Sequence, residues 1–309
     1  MGTPVRGVLT VARPTDPGDD VTAVLHGRPD APAAGSGHTL LVADAVEQGR
    51  RGTASWVERE LALGSKVYYK GWLPEGQQHW LSGPAGPRGA RDAFASGQLE
   101  FLDFPTLVER SGATSAGVLA VYQDEVERAF DDLWPTVAMT QESPELPMAD
   151  DAHLVSEYAT WESGFDVLTG EWPVRMLCQL SVPAESERAM WETVAVHHRD
   201  LVDGVWSAAE DHGRWGPRGD LDAHVSRRFG AAVHGALRAA REREGCSDLH
   251  VDLAAVDFMD VSCAEILMLA ARSAPAEQHI VLHNGPRFLR RLFDAVGRPP
   301  SVRESEDPR

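Results

Sequence analysis

Cysteine is nearly absent: Cys178, Cys246 and Cys263 are the only three in 309 residues, with no Cys-x-x-Cys spacing. So sparse and odd a set argues against a disulfide framework and against a cysteine-rich zinc module, and it fits a reducing cytoplasm. Lysine is scarcer still, with only Lys66 and Lys70 beside 27 arginines. Long apolar runs are missing, since no stretch approaches the roughly 18 residues that a spanning helix needs. The opening MGTPVRGVLTVARPTDPGDD lacks the apolar centre of a secretion signal. Positive charge is short as well, with 29 Lys and Arg against 47 Asp and Glu for a net −18. Most of that deficit lies ahead of Ala208, where the net charge is −16, against −2 from Ala208 onward. A surface of that sign repels phosphate backbones and anionic headgroups, so neither nucleic acid nor a membrane is an expected partner.

What is present is 43% hydrophobic and 25% charged residues, enough to bury a core at a length that suggests two domains. Residues 1–37, rich in Gly, Pro, Ala and Asp, read as a flexible leader. From His38, β-rich runs alternate with helical periodicities. HTLLVAD, KVYYKGWL, LEFLDF, VAMTQE and VRMLCQLSV read as strands. VEQGRRGTASWVERELALG, ARDAFASG, SAGVLAVYQDEVERAFDDLW and AHLVSEYATWESGFDVL read as helices. Strands separated by helices imply an α/β fold, with a mainly parallel, helix-wrapped sheet over residues 38–205. The polar, Gly-rich stretch after Trp206 reads as a linker at 206–213, followed by a compact second domain at 214–299. Its pattern is a long helix through LDAHVSRRFGAAVHGALRAAREREG, a strand LHVDLAAVDF, an apolar helix CAEILMLAARS, a strand HIVLHNG and a closing helix PRFLRRLFDAVG. Residues 300–309 read as a frayed tail.

The run DLAAVDFMDVSCAEILMLAA, preceded by GDLDAHVSRRF and followed by HIVLHNGPRFLRRLFDAVG, resembles the STAS domains. These are anti-anti-sigma modules, a small α/β sheet covered by helices, and the resemblance spans about Arg214 to Gly297. It implies that a serine opening the helix after an Asp-containing turn is phosphorylated by a partner kinase. Position by position this falls on Ser262, with Asp260 two residues earlier. A helix start offers free N–H groups and a favourable dipole to a phosphate. The added charge, about −1.5 to −2, would be sharpened by Asp222, Asp257 and Asp260 if they lie beside it. The glycine usual after this serine is Cys263 here, which sets a Cβ on the expected switch surface. From the residues alone, Ser262 reads equally well as the N-cap of its helix.

The segments HTLLVAD, WVERELALGSKVYYKGW, GQLEFLDF, VAMTQESPEL, YATWESGFDVL and PVRMLCQLSV are together similar to the MEDS sensory domain. His38, Glu142, Glu162 and the Cys178-Gln179 pair carry that similarity most. The family is a degenerate relative of the RecA/KaiC ATPase fold, so the resemblance implies a RecA-like sheet and the sensing of a small apolar ligand. Phosphate chemistry is not expected, because GxxxxGK[ST] is missing and the loop AVEQGRRGT has no lysine. Ligands of open α/β sheets sit at the carboxyl ends of strands, which makes Asp44, Glu142, Cys178 and Gln179 pocket candidates beside His38 and Glu162. The doublet His197-His198 reads as structural or surface, because neighbours on a helix diverge by about 100°. No metal and no cofactor are expected, and the tryptophans read as core.

These readings make the chain a signalling regulator in transcription or stress response, without enzymatic activity of its own. A sensory domain is joined to an anti-sigma factor antagonist-like domain that docks an anti-sigma factor or a serine kinase of that class, switched at Ser262. Self-association is left open. Two alternatives stand beside it. One is an enzyme with Glu142 or Glu162 as base and Cys178 as nucleophile, for which no GxSxG, HExxH or kinase signature exists. The other is a scaffold whose STAS domain is no longer phosphorylated.

Overall fold

The computed structural model describes residues 37–71, 79–84, 86–112, 114–141, 152–181, 187–243 and 248–305. The expected leader, except Gly37, lies outside them. The N-terminal half comprises β1 (His38–Ala43), α1 (Val46–Ala62), β2 (Lys66–Gly71), α2 (Ala90–Ser96), β3 (Leu99–Asp103), α3 (Phe104–Ser111), α4 (Ser115–Asp131), β4 (Val137–Gln141), α5 (Ala152–Glu171), β5 (Val174–Ser181), α6 (Glu187–Val196) and β6 (Asp200–Asp203). These strands lie in the order β3-β2-β4-β5-β1-β6, all parallel. Every residue of β2 and β4 is buried, so KVYYKG and VAMTQ lack polar alternation, as strands covered on both faces do. Tyr68, Met139 and Met176 pack under Leu119, Tyr122 and Phe165 of α4 and α5. On the other face Val67, Tyr69, Ala138 and Leu177 meet Trp56 and Val57 of α1 and Ala90 and Ala93 of α2.

The stretch expected to be a linker is β-structure. Trp206–Asp211 forms β7, which pairs antiparallel with β6 on one side and with β8 (Arg214–Leu221) on the other. Trp206 and Ala208 are buried while Ser207 is half-buried, a strand alternation that the polar composition hides. The glycines that suggested a linker make turns instead: Gly204 and Gly213 take positive φ at the two ends of β7. The C-terminal half continues with α7 (Ser226–Glu242), β9 (Leu249–Asp252), β10 (Val256–Met259), α8 (Val261–Ser273), β11 (Ile280–His283), α9 (Arg287–Ala295) and β12 (Val302–Glu304). LHVDLAAVDF, expected as one strand, is two: a turn at 253–255 sets β9 beside the start of β8 and β10 beside its end. The tail is not frayed throughout, because β12 pairs parallel with β11.

The described residues thus form one mixed, mostly parallel sheet of 12 strands, in which only β7 runs against its neighbours. One apolar core runs through the join, from Leu40 and Leu180 through Trp206 and Phe229 to Leu267 and Phe293. Trp206 and Trp215 belong to it, and Trp56 and Trp172 to the two N-terminal clusters, as read from the sequence. No helix among the described residues is long and apolar enough to cross a membrane.

Candidate functional site

In the middle of the N-terminal sheet a group of polar side chains is sealed inside apolar packing. Side chains alternate along a strand, so His38 and Leu40 share one face of β1, and Met176 and Cys178 share the same face of β5. The register sets Cys178 opposite both Leu40 and Gln141. Glu162 descends onto this face from α5, and His197 follows the last residue of α6. All four of His38, Glu162, Cys178 and His197 are at most 3% exposed. One donor atom from each lies within 4.8 Å of the other three.

Their distances are those of a closed cluster. His38 Nε2 is 2.9 Å from His197 Nε2, 3.3 Å from Cys178 Sγ and 3.3 Å from Glu162 Oε2. Glu162 Oε2 is 3.2 Å from His197 Nε2 and accepts from Cys178 Sγ at 3.1 Å. An outer layer orients these groups. His38 Nδ1 donates to Asp166 Oδ1 at 2.8 Å, and His197 Nδ1 donates to the Thr193 carbonyl at 2.7 Å. Gln141 Nε2 donates to Glu162 Oε1 at 2.9 Å, while its Oε1 accepts from Lys70 Nζ at 2.7 Å and Tyr122 Oη at 3.3 Å. With both Nδ1 protons committed to oxygen acceptors, the two Nε2 atoms turn toward each other.

The electrostatics match that convergence. Burial opposes charge on His38, but the charge at Cys178 and the bonds to Asp166, Cys178 and Glu162 outweigh it and hold the ring well above the usual histidine range. Burial and the charge on His38 act against a charged His197, yet hydrogen bonds with Cys178 and Glu162 raise it to about 9. Burial also pushes Glu162 upward, but its bonds to His197 and His38 win and hold the carboxyl well below the ordinary range. The cluster therefore favours positive charge between the imidazoles. Beside it, burial brings Lys70 down to about 7 despite the charges on Glu162 and Cys178. Its ammonium lies 4.3 Å from the centre of the Trp161 ring.

The residues expected to form a pocket divide. His38, Glu162 and Cys178 meet in the cluster. Gln179, one residue past Cys178, points to the opposite face and donates to Thr140 Oγ1 at 3.0 Å. Asp44 stands apart from the cluster: its half-exposed carboxylate takes Arg228 Nη1 of α7 at 2.7 Å. The same guanidinium meets the buried Asp203 at 2.5 Å, tying β1, β6 and α7 together. Glu142 lies outside the described residues. The histidine doublet splits as its geometry requires, but neither member is on the surface. His197 enters the cluster, while His198 turns away to bond the Ala195 carbonyl at 3.0 Å. The strand-end rule finds a cavity elsewhere, of about 520 Å³ beyond β9 and β11, lined by Leu253, His283, Asn284 and Arg290 among others.

In the C-terminal half the N-cap of α8 is Asp260, not Ser262: Asp260 Oδ1 accepts from Cys263 N at 2.9 Å. Ser262 sits in the first turn, partly exposed, and among the described residues its hydroxyl has no hydrogen-bond partner. Phe258 and Val261 beside it are 49% and 52% exposed. Cys263 is not on this surface. It is fully buried, with Sγ donating to the Asp222 carbonyl at 3.3 Å, so its Cβ does not obstruct approach to Ser262. The same contact brings Asp222 to the helix start, and Asp257 is exposed on β10.

Residues 218–298 match the family described as "Mlab, STAS domain". A search among curated proteins gave no match. Among solved structures, "The cytoplasmic domain of EssC" aligns with 47% of this chain at 12% identity and a TM-score of 0.24. This chain spans 27% of that protein's length, and a likeness at this level carries no argument.

Proposed function

We propose that this protein is a regulator whose STAS-like half binds an anti-sigma factor or a serine kinase of that class, with phosphorylation of Ser262 breaking the contact. The observation that supports it is the division of labour at the start of α8. Asp260 caps the helix, so the Ser262 hydroxyl is spared that duty and stands partly exposed beside Phe258 and Val261. A phosphate there would meet first-turn N–H groups and the helix dipole. It would also add about two negative charges to a surface already carrying Asp222, Asp257 and Asp260, between apolar side chains suited to a partner.

The N-terminal half is, in this proposal, a MEDS-like sensory domain for a small apolar ligand, and the whole acts in the cytoplasm on transcription or stress response without turnover of its own. The alternative enzyme reading finds little support at Cys178, which is 1% exposed and held in hydrogen bonds.

The test is capture from the native host's lysate with wild-type, Ser262→Ala and Ser262→Glu baits. Recovery of a small ATP-binding serine kinase or an anti-sigma factor by wild type and Ser262→Ala, but not by Ser262→Glu, supports the switch. Equal recovery by all three reduces Ser262 to an ordinary helix residue and overturns it.

A further inference from the structure

We propose that His38, Glu162, Cys178 and His197 form a binding site for one divalent transition ion of the zinc class, held by two imidazole Nε2 atoms, one thiolate and one carboxylate oxygen. This inference is independent of the STAS half and of Ser262.

Four observations carry it. The first is size: a zinc ion bound tetrahedrally at about 2.0–2.3 Å from its ligands sets them roughly 3.3–3.7 Å apart. Five of the six separations among these atoms run from 2.9 to 3.3 Å, and all six lie within 4.8 Å. Those five need to open by only a few tenths of an ångström to match a coordination sphere.

The second is proton placement. A carbonyl and a carboxylate can only accept, so His197 Nδ1 and His38 Nδ1 both carry protons toward Thr193 and Asp166. With both rings neutral, as metal binding requires, their Nε2 lone pairs face each other across 2.9 Å, and the Cys178–Glu162 pair at 3.1 Å borders the same point. A cation at the centre serves all four at once.

The third is the outer layer. Metal-binding histidines commonly donate their other N–H to a carboxylate or a backbone carbonyl, which fixes tautomer and ring angle. Asp166 and the Thr193 carbonyl do this for the two rings, and Gln141 does the same for the second oxygen of Glu162. The fourth is the donor set itself. Two nitrogens, one sulfur and one oxygen suit a borderline ion; magnesium and calcium select oxygen-only shells.

All four positions of such a shell are protein atoms and all are buried, which makes the site structural or sensory, with no open position for a reacting water. It would pin β1, α5, β5 and the end of α6 to one point. Glu162 and Cys178 are 16 residues apart, His38 and His197 159, so the ion closes large loops and its effect on stability is global.

The experiment uses the full chain expressed in zinc-supplemented medium and separately refolded with Co²⁺. About one zinc per chain is expected by elemental analysis, together with a near-ultraviolet thiolate-to-cobalt band and the visible spectrum of a tetrahedral cobalt ion. Cys178→Ser should remove the charge-transfer band, and His197→Ala should cut zinc content at least fivefold. His224→Ala, an exposed position, should change neither. Because the ligand variants could fold poorly, alkylation of the wild type gives a second readout: Cys178 should be labelled only after chelation in mild denaturant. Zinc below about a tenth of an equivalent with no cobalt–thiolate band in the wild type overturns the site, as does a band that survives Cys178→Ser.

Discussion

Gly235 of α7 passes so close to Ala195 of α6 that a Cβ on the glycine would stand 1.9 Å from the Ala195 carbonyl oxygen. The two helices meet backbone to backbone, one from each half of the molecule. Gly235→Ala sets two effects in opposition. Alanine gains about 1 kcal/mol of helix propensity over glycine, while forced overpacking of a buried contact costs about 1–3 kcal/mol and sometimes more. Backbone cannot swing aside as a side-chain tip can, so the clash wins. A net loss of up to about 2 kcal/mol is expected as a lower urea midpoint with unchanged slope, and a midpoint at or above wild type would refute the tight crossing.

Arg228 carries two carboxylates that differ in burial. Burial, the largest influence on Asp203, raises its carboxyl even beside Arg228. Asp44 is half-exposed, and its bonds to Arg228 outweigh burial and lower it. Arg228→Met leaves Asp203 buried without its partner and should cost about 3–5 kcal/mol. Asp44→Asn, a largely screened contact, should cost under about 1 kcal/mol. A depressed carboxyl stabilises only while ionised in the folded state. The Asp44→Asn deficit should therefore be present at neutral pH and vanish as the pH falls below the ordinary aspartate range. Denaturant titrations at both pH values measure it.

Lys70 should titrate near pH 7, because burial penalises its ammonium form. The chain has only two lysines, so ¹⁵Nζ-lysine labelling gives two signals, assigned by Lys66→Arg. A Lys70 signal moving with a midpoint near 7 is the expected result. A Lys70 signal that stays constant through neutral pH would place its ammonium in solvent.

At the start of α8, Asp260→Ala removes the cap and should cost about 1 kcal/mol. Ser262→Ala should stay within about 0.5 kcal/mol. Thermal unfolding of the two variants separates them. A larger loss at Ser262 would mean that the serine serves the helix rather than a partner.

Much of this molecule was legible because its elements are locally consistent. Gly97 closes α2 in the left-handed conformation, and fully buried β2 and β4 announce themselves as unbroken β-rich runs. β7 was not legible, since its small residues are selected for packing between strands rather than for hydrophobicity. His38, Glu162 and Cys178 could be singled out one by one. Their meeting could not be foreseen, because parallel pairing of β1 with β5 is what joins them. His197 was missed for a different reason: the 100° divergence in a doublet excludes a chelating pair, but it leaves one histidine free to join distant partners.

Ladder pairing through β7 has a consequence for how the two halves can be handled. Cutting the chain in the segment that looks like a linker, and discarding β7, would strip β6 and β8 of their neighbour and bare two rows of unpaired N–H and C=O groups. Such open edges recruit other chains, so the STAS-like half, cut free there, is expected to associate with itself rather than behave as a soluble module. The two halves are held by shared backbone hydrogen bonds, not by a tether, and a displacement near His197 has only three residues to travel before it reaches the strand that both halves share.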